Sequence, residues 1–277
     1  MKAVVLCADD FGLSEGVSRG ILDLIAMGRL SATSAMTNCP AWRRCAPALR
    51  DHTGRVGVGL HLTLTVGAPL GPMPRLAPGG ALPKLPDLAA GALRGGLPLE
   101  EIEAEIGRQF DAFADAFGRA PDFVDGHQHV HALPGVRRAL FAALRRCGCA
   151  GSLWLRDPSD RLSAIARRGV AAAKAVQVRA LAAGFRRSAR RAGFRVNEGF
   201  SGFSPFEASA VGATFESAFR YLGPRPVVMC HPGYPDEDLR RLDPVVEVRR
   251  DEFDYLASDA FAELLATRKI TLAPRPG

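Results

Sequence analysis

The chain has 277 residues, 47% of them hydrophobic, and a formal net charge of +7. That length is sufficient for one domain of α/β-barrel size or for two smaller domains with substantial cores. No apolar run approaches the roughly 20 residues that a transmembrane helix requires. Two aspartates follow the short run MKAVVLCA too early for a secretory signal peptide. We therefore expect a cytoplasmic protein without a transmembrane segment.

The first half of the chain alternates strand and helix patterns. The predicted elements are strand 2–8, helix 14–28, strand 31–38, helix 42–50 and strand 55–64. Ser14 is the expected N-cap of the first helix, and Gly28 lies just beyond its C-terminus. Residues 66–98 are rich in proline and glycine and too long for an ordinary connection, so we interpret them as a lid or binding loop.

The second half continues this alternation. The predicted elements are helix 99–118, strand 121–126, helix 134–148, strand 152–157, strand 226–233, helix 249–267 and strand 269–274. Helix 99–118 is amphipathic, with apolar residues near helical spacing at Ile102, Ile106, Phe110, Phe113 and Phe117. Strands and helices in alternation favour parallel strands with crossover helices, either as an α/β barrel or as an open doubly wound sheet.

Arginine is concentrated in a helical segment at 156–195, and residues 161–195 contain no acidic residue. Aromatic residues for base stacking are scarce there. We interpret the segment as a solvated helical face and expect no nucleic-acid partner. The alternative is a surface that faces an anionic substrate, a lipid headgroup or nucleic acid, and it leaves peripheral lipid contact open.

Four separate apolar runs end on polar residues. Asp9 and Asp10 follow VVLCA, His61 follows VGVGL, His127 follows DFVDG, and His231 follows VVMC. In a barrel of parallel strands, the C-terminal strand ends open onto one face, where such folds carry out chemistry. Burying several polar groups there is costly unless they are paired. A shared metal ion is the simplest way to satisfy them.

Two histidines and one carboxylate with open positions form a catalytic site for a divalent ion. We therefore predict Asp10, His61 and His127 as metal ligands. Asp9 is then free to take a proton from a metal-bound water, and His231 to give a proton to a leaving group. Lewis acid, water, base and acid together indicate metal-assisted hydrolysis. Each residue also has a structural alternative, such as helix capping for the aspartates or a turn for His231.

The stretch FVDGHQHVH, residues 123–131, contains three of the six histidines at alternate positions. In an extended strand, His127, His129 and His131 would share one face. We predict that His129 and His131 either support the site or contact substrate; otherwise they orient a loop. Asp125 is the expected hydrogen-bond partner of a ligand histidine, although it could equally satisfy local backbone donors.

Five motifs in chain order carry a family resemblance: ADDFGLSEGVSRGI, GRLSATSAMTN, VGVGLHLTLTVGAPL, FVDGHQHVHALP and HPGY. The set resembles the YdjC-like (ChbG/HpnK) carbohydrate deacetylases over nearly the whole chain. The resemblance implies one domain over 1–277 with a distorted (β/α) barrel fold related to polysaccharide deacetylases.

The same resemblance implies a divalent ion, usually Mg²⁺, and removal of an N-acetyl group from an amino sugar such as one in a chitooligosaccharide. Its metal positions correspond to Asp10, His61 and His127, its catalytic aspartate to Asp9, and its general acid more loosely to His231. It also favours a homodimer. Ligand type alone is equally compatible with Zn²⁺ or Mn²⁺.

Three alternative functions remain from the sequence. One is deacetylation of a lipid-linked, hopanoid-type amino sugar, which a basic amphipathic surface would suit. Another is a different metallohydrolase, an amidohydrolase or a phosphoesterase, because DGHQH resembles their H-x-H motif. The third, a non-enzymatic nucleic-acid-binding protein, leaves the polar groups at the strand ends unexplained.

Overall fold

Nine parallel strands form the centre of the computed structural model, which describes all 277 residues. The strands are β1 (Lys2–Phe11), β2 (Ala32–Ala35), β3 (Gly57–Leu62), β4 (Phe123–Gly126), β5 (Trp154–Leu155), β6 (Arg195–Val196), β7 (Phe200–Ser201), β8 (Val227–Cys230) and β9 (Ile270–Leu272). Their order is β6-β5-β4-β3-β2-β1-β8-β7, and β9 pairs with the N-terminal part of β1. All registered strand pairs are parallel, as the alternating pattern predicts.

Twelve helices connect and cover these strands. They are α1 (Glu15–Ala26), α2 (Trp42–Arg50), α3 (Leu85–Arg94), α4 (Leu99–Phe117), α5 (Val136–Arg146), α6 (Leu162–Arg168), α7 (Ala172–Leu181), α8 (Phe185–Arg191), α9 (Val211–Ala218), α10 (Glu237–Leu242), α11 (Val248–Ala257) and α12 (Asp259–Thr267). None of them combines the length and hydropathy that a bilayer crossing requires. The Ser14 hydroxyl caps α1 by accepting from Val17 N, as predicted.

The sheet separates two hydrophobic cores. The larger one lies between the strands and the outer helices and includes the apolar face of α4, which is buried as predicted. The smaller one fills the interior of the curved sheet. There the ring of Phe123 stacks on Trp154 with centroids 4.4 Å apart. A Cβ at Gly59 would lie 2.4 Å from the Phe123 ring, so only glycine fits beside it on β3.

The first and last strands of the sheet order, β6 and β7, are consecutive in the chain. Only residues 197–199 separate them, so the sheet curls until its two edges come close together. Asn197 holds this junction, since its amide donates to the carbonyls of Asp157 and Gly199 and accepts from Asp157 N at 2.7 Å. The architecture is therefore a distorted barrel, as predicted.

Two predicted elements differ from the structure. The proline- and glycine-rich range 66–98 is not irregular throughout, because it contains helix α3 with Gly95 in a left-handed conformation at its end. Its first part is tied to α4, where Glu105 accepts from Leu70 N at 2.9 Å. The predicted single helix 249–267 is two helices. The Ser258 hydroxyl caps the second by accepting from Phe261 N.

Candidate active site

The C-terminal ends of the strands bring together the polar residues that are remote in sequence. Asp9 and Asp10 lie near the end of β1, His61 lies on β3, Asp125 lies on β4, and His127 directly follows β4. All five side chains are buried. Because uncompensated burial of so many polar groups is unfavourable, their mutual contacts determine what the site can do.

Asp9 and Asp10 are neighbours in a strand, where successive side chains normally point to opposite faces. The register between β1 and β2 shifts between Ala8 and Phe11, and Asp10 adopts a left-handed conformation with φ of 71°. This conformation is uncommon for a residue other than glycine and is typical of functional sites. It allows both carboxylates to reach the same cluster of side chains.

Asp10, His61 and His127 have the geometry of a metal site. Asp10 Oδ1 lies 3.2 Å from His61 Nε2 and 3.0 Å from His127 Nδ1. The three candidate ligand atoms all lie within 4.8 Å of one another. The other ring nitrogen of His127, Nε2, is buried without a hydrogen-bond partner. One carboxylate and two imidazoles are a donor set that binds a divalent cation, so these residues fit the predicted ion.

Asp125 lies behind this cluster and orients His61. Its Oδ1 is 2.7 Å from His61 Nδ1, which leaves Nε2 facing Asp10. The Ser34 hydroxyl lies 2.9 Å from the same Nδ1. Burial disfavours the charged imidazole, but the carboxylates of Asp125 and Asp10 outweigh it and raise the pKa of His61 to about 10. The carboxylates around His61 therefore favour positive charge on its ring.

Arg156 directly follows β5 and is fully buried. Its guanidinium donates to both oxygens of Asp9, at 2.6 and 2.7 Å, and lies 2.5 Å from Asp125 Oδ2. Burial opposes ionisation of Asp9, yet the charge of Arg156 prevails and holds the pKa of that carboxyl well below its usual range. Asp9 and Asp125 also lie near Cys7, but the arginine already neutralises this second group of potential ligands.

Helix α11 supplies two further buried ionisable residues, Arg249 and Glu252. Arg249 Nη2 donates to Asp10 Oδ2 at 2.8 Å, on the opposite oxygen from the histidines. Burial raises the pKa of Asp10, whereas the charge of Arg249 lowers it. The resulting pKa lies well below the usual value. Glu252 Oε2 accepts from the backbone N–H of His231 at 2.6 Å. Burial raises the pKa of Glu252 to about 7.

His231 follows β8 and is only partly buried, unlike Asp10, His61 and His127. Its ring packs against Phe206 with centroids 5.4 Å apart, and its Nδ1 has no hydrogen-bond partner. Desolvation lowers the pKa of His231 to about 4, although Asp10 and Asp9 act in the opposite direction. The imidazole is therefore neutral at pH 7. The charges of Asp10 and Asp9 nevertheless act on it.

The three alternate histidines do not share one face. Residues 127–132 form two short 3-10 turns separated by a kink, at which Gln128 and His129 have left-handed φ values of 53° and 61°. His129 consequently packs between Phe200 and Phe203. His131 turns towards the carbonyl of Arg156, 2.7 Å from its Nε2. The shared face that an extended strand would give these histidines is therefore absent, and of the three only His127 contacts Asp10.

Sequence reasoning missed Arg156, Arg249 and Glu252. Arg156 had a usable signal, because it follows strand SLWLRD as His61 and His127 follow theirs, but it was grouped with the arginine-rich segment. Arg249 and Glu252 lie on a helix more than 200 residues from Asp10, and nothing in their local sequence marks them.

The family model described as YdjC-like protein matches residues 3–267. The chain belongs to the YdjC-like family. YdjC-like relatives named chitooligosaccharide deacetylase include those of Enterobacter sp. (strain 638), 43% identical over 135 residues, and Serratia marcescens, 41% identical over 136 residues. Each alignment covers 49% of this chain, and 52% and 53% of the two relatives respectively. The chain thus spans about half the length of the curated relatives that it matches.

Solved structures confirm the fold prediction for this YdjC-like chain. A protein of Enterococcus faecalis V583 with a proposed role in cellobiose-phosphate cleavage superposes with a TM-score of 0.72 and 22% identity, over 98% of this chain and 97% of the other. A peptidoglycan N-acetylglucosamine deacetylase superposes with a TM-score of 0.50 and 12% identity, over 98% and 86% of the two chains. At such identities the similarity concerns the fold alone.

Proposed function

We propose that this protein is a metal-dependent hydrolase that removes an N-acetyl group from an amino sugar in a chitooligosaccharide-like substrate. The observation that carries the proposal is the convergence of Asp10, His61 and His127 beside the Asp9–Arg156 ion pair. The relatives named chitooligosaccharide deacetylase support this choice of substrate class.

In this proposal Asp10, His61 and His127 hold a divalent cation. The cation, when bound, would polarise the acetamide carbonyl and make water a stronger acid. By resemblance we expect Mg²⁺, although the donor set also suits Zn²⁺ and Mn²⁺. A homodimer in the cytoplasm is part of the same expectation. We further expect a single catalytic domain over 1–277, with 66–98 and 156–195 contributing to substrate selection.

Asp9 is the proposed base. Its ion pair with Arg156 keeps the carboxylate ionised and fixes its orientation, so that an oxygen can accept the proton of the attacking water. His231 is the proposed acid. Because its ring is neutral at pH 7, the proton that Asp9 takes from water has to be passed to His231, which then donates it to the departing amine. The amide C–N bond breaks, and acetate and a free amino sugar are the products.

The test is acetate release from an N-acetylated chitooligosaccharide by protein stripped with a chelator and then supplied with single metal ions. We expect no acetate without metal and recovery with one of the three ions. His61→Ala and His127→Ala should lose both the ion and the activity, whereas His52→Ala, a histidine outside the cluster, should retain both. Full turnover by the metal-free protein, or release of phosphate but not acetate from a substrate panel, would contradict the proposal.

A further inference from the structure

The arginine-rich segment folds into one wall of a cavity that lies apart from the metal cluster. The cavity has a volume of about 950 Å³ and is bounded by α6, α7, α8 and the residues after β5. Its charged lining consists of two aspartates, Asp157 and Asp160, and six arginines, Arg161, Arg179, Arg186, Arg187, Arg190 and Arg191. Positive groups therefore greatly outnumber negative ones in a concave site.

The acidic groups in and beside the cavity are already paired. Asp157 Oδ2 accepts from Arg186 Nε at 2.8 Å. Asp160 pairs with Arg168, which lies outside the lining. Arg190 pairs with Glu198. These contacts account for every carboxylate close to the lining arginines.

Four lining arginines then remain without a carboxylate partner. They are Arg161, Arg179, Arg187 and Arg191. The only polar contact of their guanidinium groups within the protein is between Arg179 and the carbonyl oxygen of Asp160, at 3.1 Å. Several uncompensated guanidinium groups around one cavity create a positive potential that attracts anions.

A layer of buried side chains separates this cavity from the proposed catalytic residues. Phe185 lines the cavity, and its ring centroid lies 5.4 Å from that of His131. His131 contacts the carbonyl of Arg156, and the guanidinium of Arg156 binds Asp9. The cavity is thus behind the Asp9–Arg156 pair, and its arginines are not part of the metal cluster.

We propose that this cavity binds a phosphate-bearing ligand through Arg179, Arg187 and Arg191. Guanidinium groups match phosphate oxygens with paired, charge-assisted hydrogen bonds. The apolar side chains of Leu162 and Val176 in the same lining offer contact for the organic part of such a ligand. Because the arginines surround a cavity, a small phosphate group fits them better than a nucleic-acid duplex does. This assignment does not depend on the proposed deacetylase activity.

The test compares the wild-type protein with the double variant Arg187→Ala/Arg191→Ala, which replaces two exposed arginines of the cavity lining. The matched control is Arg43→Ala/Arg55→Ala, which removes two exposed arginines outside the cavity. Calorimetric titrations at constant ionic strength use inorganic phosphate, N-acetylglucosamine 6-phosphate and unphosphorylated N-acetylglucosamine. Co-sedimentation with phosphatidylglycerol vesicles forms the lipid arm. Thermal unfolding verifies that all variants are folded.

We expect phosphate-dependent binding that is at least about tenfold weaker in the cavity variant and unchanged in the control. Tight binding of the soluble phosphates identifies a free phosphorylated ligand. Binding of the vesicles alone, if it depends on the cavity arginines, identifies a lipid headgroup as the phosphate-bearing ligand. Equal affinity in the wild type and the cavity variant would overturn the assignment. An equal loss of phosphate affinity in both double variants would overturn it as well, because net charge alone would then explain the interaction. The same holds if both variants lose salt-sensitive DNA binding equally.

Discussion

The guanidinium of Arg156 spans the carboxylates of Asp9 and Asp125, and the latter contacts His61 at 2.7 Å. The proposed base and the proposed metal-binding residue His61 are therefore held by the same buried cation. A buried charge of this kind has a large desolvation penalty that its partners must offset. Changing any member of the chain Asp9–Arg156–Asp125–His61 should consequently affect the others.

Arg156→Met should destabilise the protein by about 3–5 kcal/mol, because it leaves two buried carboxylates without their partner. Urea unfolding of the metal-free protein measures the change. Arg161→Met, at an exposed arginine that lacks an ion pair, serves as the control and should change the free energy of unfolding by less than about 0.5 kcal/mol. Similar values for the two variants would mean that the buried pair contributes little.

Asp9→Asn should lower the rate of acetate release by about 10²–10⁴-fold, since an amide cannot accept the proton of water. Metal affinity should change much less, because Asp10 rather than Asp9 belongs to the ligand group. Parallel activity and metal-titration measurements separate these effects. Asp51→Asn, at an exposed aspartate, is the matched control. Retained activity in Asp9→Asn would remove Asp9 as the base.

Asp125→Asn should weaken metal binding by about 10–100-fold, because Asp125 fixes the orientation of His61 and increases its basicity. The measurement is competition with a fluorescent chelator at pH 7. Asp122→Asn is a useful control: Asp122 immediately precedes β4 and pairs with Arg119 away from the cluster. Its affinity for metal should match that of the wild type, and a comparable loss in both variants would contradict the specific role of Asp125.

Glu252 should make stability depend on pH. Its folded-state pKa of about 7 exceeds the ordinary value of 4.5, so the folded protein binds the extra proton between these values. The stabilising contribution is complete below about pH 4.5 and is lost as the pH rises through 7. Glu252→Gln should therefore gain stability relative to the wild type from pH 5 to 8, by up to about 3 kcal/mol.

Urea unfolding across this pH range, with a chelator present, measures that difference. The exposed Glu263→Gln is the matched control, and its difference from the wild type should remain constant with pH. A constant difference for Glu252→Gln too would show that burial does not retain the proton on Glu252.

The order of strands and helices and the convergence of Asp10, His61 and His127 could be predicted because both depend on local sequence patterns. An apolar run determines a buried strand, and the residue that follows it lies at a known edge of a parallel sheet. This reasoning located Asp10, His61 and His127 together. The same rule predicts that Arg156 lies at this edge, because it follows the strand SLWL. It was missed because it was grouped with the arginine-rich residues that come after it.

Other features depend on contacts that local sequence does not specify. Arg249 and Glu252 reach the site only because α11 packs against α1 and α9, near the end of β8, and any amphipathic helix could present other residues there. The left-handed backbone at Gln128 and His129 was equally hidden, since neither residue is glycine. This backbone conformation directs the alternate histidines His127, His129 and His131 into different environments, whereas an extended strand would place them on one face.

The three-residue junction at Asn197 also has a consequence for solubility. Unpaired strand edges are templates for association with other chains, and folds that leave them open must protect them. Here residues 197–199 can span no more than roughly 10 Å, so the terminal strands β6 and β7 stay beside each other, with Asn197 anchored to Asp157. Loosening that anchor would free two strand edges at once and favour aggregation.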